Sequence, residues 1–276
     1  MKDITIIIPL HVFNDEVKDL LTTAIESVSV CQKNYENIGK LTPLIVCSSD
    51  IYDSVMSWVN KTKQLVSVIK NTGDTDFCSQ VNHAVATVKT EFFSVLEFDD
   101  TYTEHWFTNA HKYYYGNESV SVFLPVNLFH DGQYKNWQYG NTMALSPTFI
   151  TNNEKDKDDI GIINFHRLEK CSLFNLTGAV INTEDFRKVG MYKPSIKVAF
   201  NYELLLRMAK KGLIMMVVPK EGYVHALGRK DSLTDVYLST TTEEEREKWF
   251  KLAVRECKYD EDRKKTVSTV KEETIK

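Results

Sequence analysis

Apolar residues in the first hundred positions follow two alternating patterns. Residues 4–9 (ITIIIP) are a continuous apolar run closed by proline, as expected of a central strand buried on both faces. A helix follows. Asn14 can cap it, Asp15 and Glu16 suit its positive first turn, and Val17, Leu20, Leu21, Ala24, Ile25 and Val28 share one stripe. The alternation continues with a strand at 44–47, a helix at 51–59 and a strand at 66–70. Asn71-Thr72-Gly73-Asp74 then supplies turn chemistry, Val81, Val85 and Val88 recur at near-helical spacing, and residues 92–98 read as a fourth buried strand. Strands with room for one helix between them imply right-handed crossovers and an α/β class, with a mostly parallel central sheet flanked by helices. Ligands of such sheets bind at the carboxyl edge of the strands.

The second half is less regular. A helix is expected over 103–115, a strand over 120–125, a hairpin turn at Asp131-Gly132 and a mobile polar loop over 152–159. Residues 176–181 return to the sheet, 201–211 form a helix stopped by Gly212, and 213–219 form another apolar strand. Thr241 and Glu244 have capping-box spacing and open a helix whose Trp249, Phe250, Ala253 and Val254 need a surface; the charged residues after Lys258 are expected to fray. No repeat and no Pro/Gly/Ser linker interrupts the chain. The expected organisation is one domain over 1–235 with a helix and charged tail over 236–276.

Composition narrows the function. The 34 Lys and Arg against 38 Asp and Glu give a net charge of −4, which disfavours a surface built to grip a polyanion. No apolar run approaches the roughly 18 residues of a membrane span, and no small-residue cleavage site follows the N-terminus, so the chain reads as cytoplasmic and unprocessed. The five cysteines are scattered, without a CxxC pair, and are expected to be buried, reduced thiols. Dinucleotide (GxGxxG), P-loop (GxxxxGK[ST]) and GxSxG patterns are absent.

The strongest chemical signal is Leu96-Glu97-Phe98-Asp99-Asp100, three carboxylates at the end of an apolar strand. Like charges so close repel unless a cation or donor groups hold them ionised, and a divalent ion beside a phosphate would do so. Alternation along an extended chain sends Glu97 and Asp99 to one side and Phe98 to the other. The bland alternative is that Asp99 and Asp100 cap the following turn. Trp137 and Tyr113 to Tyr115 could stack on a sugar or base, though aromatic packing is the commoner use.

The order of these segments resembles the nucleotide-sugar half of family 2 glycosyltransferases of the GT-A fold. The matching pieces are the strand ending in Pro9, Asn71-x-Gly73, Asn82-x-Ala84 and LEFDD in the place of the DXD motif. The acceptor-side pattern is matched by Leu176 to Ile181, by Asp185-Phe186-Arg187-Lys188-Val189-Gly190 and by Asn201-Tyr202-Glu203-Leu204-Leu205-Leu206-Arg207. The resemblance spans roughly residues 4 to 235. It implies a Rossmann-like GT-A fold, a nucleoside-diphosphate sugar donor, a hydroxyl acceptor (glycan, lipid carrier, protein or modified base) and Mn²⁺ or Mg²⁺. Carried over, Asp99 and Glu97 hold the metal with His225, while Pro9, His11, Asp50, Asn71, Gly73, Asn82, Glu97 and Arg229 surround the nucleotide sugar. Asp100 matches an extra acid of many members and joins the catalytic set.

Two departures matter. The family's second-strand acid is matched only by Ser49 or Asp50 in Val46-Cys47-Ser48-Ser49-Asp50, which leaves the base identity open. The Asp that serves inverting members as general base is replaced by Asn201, and a neutral amide cannot accept the acceptor's proton. Glu203 is a candidate in its stead, against the simpler reading of an i,i+4 pair with Arg207. The expectation is therefore a metal-dependent, inverting glycosyltransferase. The rivals are a non-catalytic GT-A nucleotide-sugar-binding module and a nucleotidyltransferase, the latter disfavoured because Leu10-His11-Val12-Phe13 is not a Gly-rich basic loop.

Overall fold

The computed structural model describes residues 1–130, 138–146, 160–227, 229, 232, 236 and 239–273. The first half alternates strand and helix as β1 (Ile4–Leu10), α1 (Asp15–Tyr35), β2 (Leu41–Ser48), α2 (Tyr52–Thr62), β3 (Ser67–Asn71), α3 (Phe77–Thr87) and β4 (Phe92–Val95). β1 pairs in parallel with β2 on one side and β4 on the other, and β3 continues the parallel set beyond β2. α1 starts at the expected cap, with the Asn14 side chain accepting from the Val17 N–H at 2.9 Å.

The second half contributes β5 (Thr101–Tyr102), α4 (Trp106–Tyr114), β6 (Val120–His130), β7 (Gln138–Gly140), β8 (Ile162–Ile163), α5 (Phe165–Lys170), β9 (Val180–Asn182), α6 (Thr183–Lys188), α7 (Phe200–Lys210), β10 (Ile214–Ala226) and α8 (Glu243–Glu273). Among the described residues all ten strands join one sheet, ordered β3-β2-β1-β4-β9-β6-β10-β5, with β7 beside β6 and β8 beside β10. β9 runs antiparallel between β4 and β6, while β6 and β10 are parallel. The fold is a mainly parallel α/β sheet flanked by helices, as the alternation of the first half predicts.

Both faces of the sheet are covered, which is why the strands read as unbroken apolar runs. Ile4, Ile6 and Ile8 pack with Val17, Leu21, Trp106 and Phe107 on one face, and Ile7 packs with Val81, Val85 and Leu204 on the other. Each such side chain contributes about 1.5–3 kcal/mol on burial. α8 lies over the second face, where Ala253 and Cys257 are buried. Lys258 reaches Glu169 at 3.6 Å and Glu256 lies 3.8 Å from Lys193. All five cysteines are buried and unbridged.

Several boundaries differ from the sequence reading for physical reasons. The fourth strand stops at Val95. The Leu96 N–H still donates to Ile7 O, and then the chain turns, with the Asp100 N–H donating to Glu97 O at 3.1 Å. β6 runs past Pro125 to His130 because its partner β10 is irregular there. The register passes from Val217↔Leu124 to Glu221↔Val126, so no ladder bond to the missing Pro125 N–H is needed. β10 likewise runs on to Ala226, and β9 begins only at Val180. The capping box is Thr242 with Glu245, one residue later than expected, and α8 continues to Glu273 rather than fraying after Lys258. Asp131-Gly132, Trp137 and residues 152–159 lie outside the described residues.

Candidate functional site

The turn after β4 determines where the acids go. In a turn closed from residue 97 to residue 100, Glu97 and Asp100 come together, whereas strand alternation would have paired Glu97 with Asp99. The short ladder between β5 and β10 then fixes the neighbour. Val224 is opposite Thr101, which sets His225 beside Asp100. Asp100 Oδ2 lies 3.0 Å from His225 Nδ1, and Asp100 Oδ1 accepts from the Ala226 N–H at 2.9 Å. Glu97, Asp100 and His225 each offer a ligand atom within 4.8 Å of the others, a set fit for a divalent cation.

Glu97 is oriented from behind. Its backbone N–H donates to the Tyr223 hydroxyl at 2.9 Å. The Tyr223 ring is pressed against Gly178, where a Cβ would come within 2.4 Å of it and where φ is +75°. The Gly178 carbonyl in turn accepts from Trp106 Nε1 at 2.8 Å. Any side chain at Gly178 would push Tyr223, and with it Glu97, out of place. Burial, reinforced by the negative charge of Asp100, pushes the Glu97 carboxyl up to about 8.

Asp99, the expected metal-binding acid, is turned to a different cation. Its Oδ2 accepts from Arg229 Nε at 2.7 Å, and the Arg229 guanidinium lies 4.9 Å from the centre of the Phe98 ring. His11 also packs on Phe98, with ring centres 5.6 Å apart; burial and then the Arg229 charge push its imidazole below the ordinary value. The metal-fit trio among the described residues therefore contains Asp100 in the place expected for Asp99.

A cavity of about 730 Å³ opens in front of this floor, within the usual range for small-molecule sites. Pro9, His11, Glu97, Asp99 and Arg229 line it as the sequence reading expects, together with the first turns of α1 and α3. Phe77, Ile196 and Phe200 form its apolar side, with Lys197 and Asp76 at the same wall. It lies at the carboxyl edge of β1 and β4, where open α/β sheets bind ligands.

Other expected residues do not line the cavity. Asn71 closes the turn after β3, accepting from the Gly73 N–H at 3.0 Å and donating to Asp74 O at 2.7 Å. Asn82 clamps the Tyr192 backbone, with Nδ2 donating to its carbonyl at 2.9 Å and Oδ1 accepting from its N–H at 3.0 Å. Asp50 is exposed at the end of β2, its carboxyl held below the usual range by a Ser48 hydrogen bond. Tyr114 packs on Phe92 and Phe123, and Tyr115 is exposed beside His111.

The acceptor-side candidates are not brought to the cavity. Asn201 accepts from the Tyr192 hydroxyl at 3.0 Å. Glu203 is fully buried, gripped by Arg207 through both oxygens at 2.7 and 2.8 Å, with Lys193 at 3.1 Å. Arg207 also donates to the carbonyls of Val189 and Met191, so this pair ties α7 to the segment after α6. Such a glutamate is structural: it is occupied by two cations and is not among the residues facing the cavity.

The sequence reading missed a buried amide network under His225. Asn127 Nδ2 lies 3.1 Å and Asn175 Nδ2 3.3 Å from His225 Nε2. Asn141, itself buried with φ +65°, links Asn127 to Asn175. The available signal was Asn127 in the otherwise apolar run of β6, an amide no buried strand tolerates unpaired.

No protein-family model matches the chain, and no curated protein matches it in sequence. Solved structures do match in fold. Residues 1–349 of S. aureus TarS in complex with UDP-GlcNAc superpose with a TM-score of 0.60 at 12% identity, covering 92% of this chain and 65% of that one. The mannosyltransferase PcManGT of Pyrobaculum calidifontis in complex with GDP-Man and Mn²⁺ gives 0.58 at 15% identity, covering 83% and 58%. TarS 1–349 alone gives 0.56 at 12% identity, covering 82% and 60%. The chain thus spans less than two thirds of the length of these structures, and the shared architecture is a GT-A-like, Rossmann-type fold. Among the described residues no helix is long and apolar enough to cross a membrane.

Proposed function

We propose that the protein is a metal-dependent glycosyltransferase that takes a nucleoside-diphosphate sugar as donor and a hydroxyl group as acceptor. The observation that carries this reading is the acidic turn at the carboxyl edge of a GT-A-like sheet, in which Glu97 and Asp99 line the cavity and the buried Asp100 shares a cation-fit set with Glu97. Two structures of similar fold are complexes with UDP-GlcNAc and with GDP-Man and Mn²⁺, which supports the donor class and the cation. Glu97 and Asp100 would hold Mn²⁺ or Mg²⁺, and such an ion supplies charge neutralisation for a departing diphosphate. Arg229, already in the cavity wall, adds a guanidinium for the same phosphates. The first turns of α1 and α3, whose N–H groups carry partial positive charge, line the same space.

An inverting displacement also needs a base for the acceptor hydroxyl. Glu203 and Asn201 do not serve. Outside the acidic floor, the carboxylates of described residues at the cavity are Glu16 and Asp76, and the half-buried Asp76 is our candidate. One observation favours a second reading: with α7 contributing no base, the chain could bind nucleotide sugars without turning them over. Donor consumption by the purified protein in the presence of Mn²⁺ separates the two.

The test of the shared premise is a thermal-shift panel of UDP-, GDP- and dTDP-sugars with and without Mn²⁺, repeated on Asp100→Asn. One nucleotide should raise the melting temperature only when Mn²⁺ is present, and the variant should lose that response. A shift that is independent of metal, or unchanged in the variant, removes the acidic floor from nucleotide binding.

A further inference from the structure

The amide network beneath His225 fixes which of its nitrogens carries the proton. Asn175 cannot turn its oxygen toward the ring, because Asn175 Oδ1 already accepts from the Thr177 N–H at 2.9 Å and the Thr177 hydroxyl at 2.8 Å. Asn127 is held the same way round, with Oδ1 accepting from Asn141 Nδ2 at 3.4 Å and Nδ2 donating to Thr177 O at 3.4 Å. Both asparagines therefore present N–H groups to His225 Nε2, at 3.1 and 3.3 Å. A nitrogen facing two donors must offer its lone pair, so the proton of the neutral imidazole sits on Nδ1, pointing at Asp100 Oδ2 3.0 Å away.

From this geometry we infer that His225 is a positioning residue and not a metal ligand: it donates from Nδ1 to Asp100 and orients that carboxylate toward Glu97. The inference rests on the reading of this floor as a cation site and changes its chemistry. A cation there is held by carboxylate oxygens and water alone, a set that selects hard ions such as Mg²⁺ and Mn²⁺ over Zn²⁺. Phe129 stacks on the imidazole, 4.8 Å between ring centres and 6° from parallel, and Tyr223 meets it edge-on at 4.8 Å, so the ring is packed by aromatic neighbours.

The tautomer can be read directly, without substrate and without metal. Protein labelled with ¹⁵N-histidine is examined by long-range ¹H–¹⁵N correlation at mildly alkaline pH, with the His225 signals assigned by their loss in His225→Asn. The expected pattern has the proton on Nδ1, and the same pattern persists at saturating Mg²⁺. A proton on Nε2 in the free protein, or its transfer to Nε2 on adding Mg²⁺, overturns the inference, since either leaves Nδ1 free to ligate. Mn²⁺ affinity by electron paramagnetic resonance gives a second readout. His225→Asn, whose amide can still donate to Asp100, should stay within about threefold of wild type, while His225→Ala should lose about 10–100-fold, the usual cost of removing a group that orients a ligand. Equal losses in both variants contradict a donor role. The metal-free tautomer judges His225, whereas a wild type with no Mn²⁺ affinity at all counts against the cation site itself, so the two failures are distinguishable.

Discussion

Two buried acidic clusters, one beneath the cavity and one inside α7, look alike in sequence and differ in charge balance. At α7, Glu203 is alone with two cations, Arg207 and Lys193, and both of its oxygens are used. At the cavity floor, Glu97, Asp99 and Asp100 share one guanidinium and one imidazole. The first arrangement is closed, and burying it is tolerable because the charges balance once Glu256, 3.8 Å from Lys193, is counted. The second carries negative charge in excess next to open space, and that excess is what a divalent ion would neutralise. Charge surplus beside a cavity, rather than burial or perturbation alone, separates the candidate site from the structural ion pair.

Breaking the closed cluster should give the largest effect. Glu203→Ala leaves the Arg207 guanidinium buried without its partner and is expected to cost about 3–5 kcal/mol in denaturant unfolding. Should Glu203→Ala unfold at wild-type denaturant concentration yet abolish donor turnover, the assignments of the two clusters would have to be exchanged. In the open cluster the order reverses. Asp100→Asn relieves like-charge repulsion, so stability should change little, while Mn²⁺ affinity measured by titration should fall about tenfold or more as ligand charge is lost.

The pH response sharpens the same contrast. The Glu97 carboxyl, raised by burial, binds a proton more tightly in the folded than in the unfolded chain. Folding stability from this group is therefore fully present below its unfolded value and is lost as pH rises toward about 8. Metal-free protein should lose stability over that window, Mg²⁺ should restore it with release of a proton, and Glu97→Gln should flatten the slope. Unfolding curves at a series of pH values, with and without Mg²⁺, read all three. A metal-free wild type whose stability shows no loss through that window, and no difference from Glu97→Gln there, would show Glu97 to be ionised already.

The layout of the first half was legible because β1, β2 and β4 are buried on both faces and each helix carries one stripe, so local pattern and tertiary burial agree. The acids after β4 were legible as a cluster, but their partnership was not. Whether Glu97 meets Asp99 or Asp100 depends on the strand ending at Val95, and that end is set by where Ile7 runs out of ladder partners on β1. His225 was found through the resemblance, whereas Asn127, 98 residues away in sequence, is brought beside it by the β6–β10 pairing, and Asn175, 50 residues away, reaches it from the segment before β9. Glu203 stood open between a base and an Arg207 pair, because i,i+4 spacing does not say whether the pair faces a cavity or the core. Burial decides that, and burial depends on elements far away in the chain.

The smallest expected effect lies in α8, remote from either cluster. Its capping box can be placed at Thr241 with Glu244 from spacing alone, or at Thr242 with Glu245 as the structure has it. In the latter the Thr242 N–H donates to Glu245 Oε2 at 2.8 Å and the Glu245 N–H donates to the Thr242 hydroxyl at 3.2 Å. The Thr241 carbonyl and hydroxyl both accept from Arg246 Nη1. Thr242→Ala should cost about 1 kcal/mol of stability, more than Thr241→Ala, whose hydroxyl takes no part in the capping box. Neither should alter the metal-dependent nucleotide response. The reverse ranking in a denaturant titration would place the helix start one residue earlier, at the Thr241–Glu244 spacing.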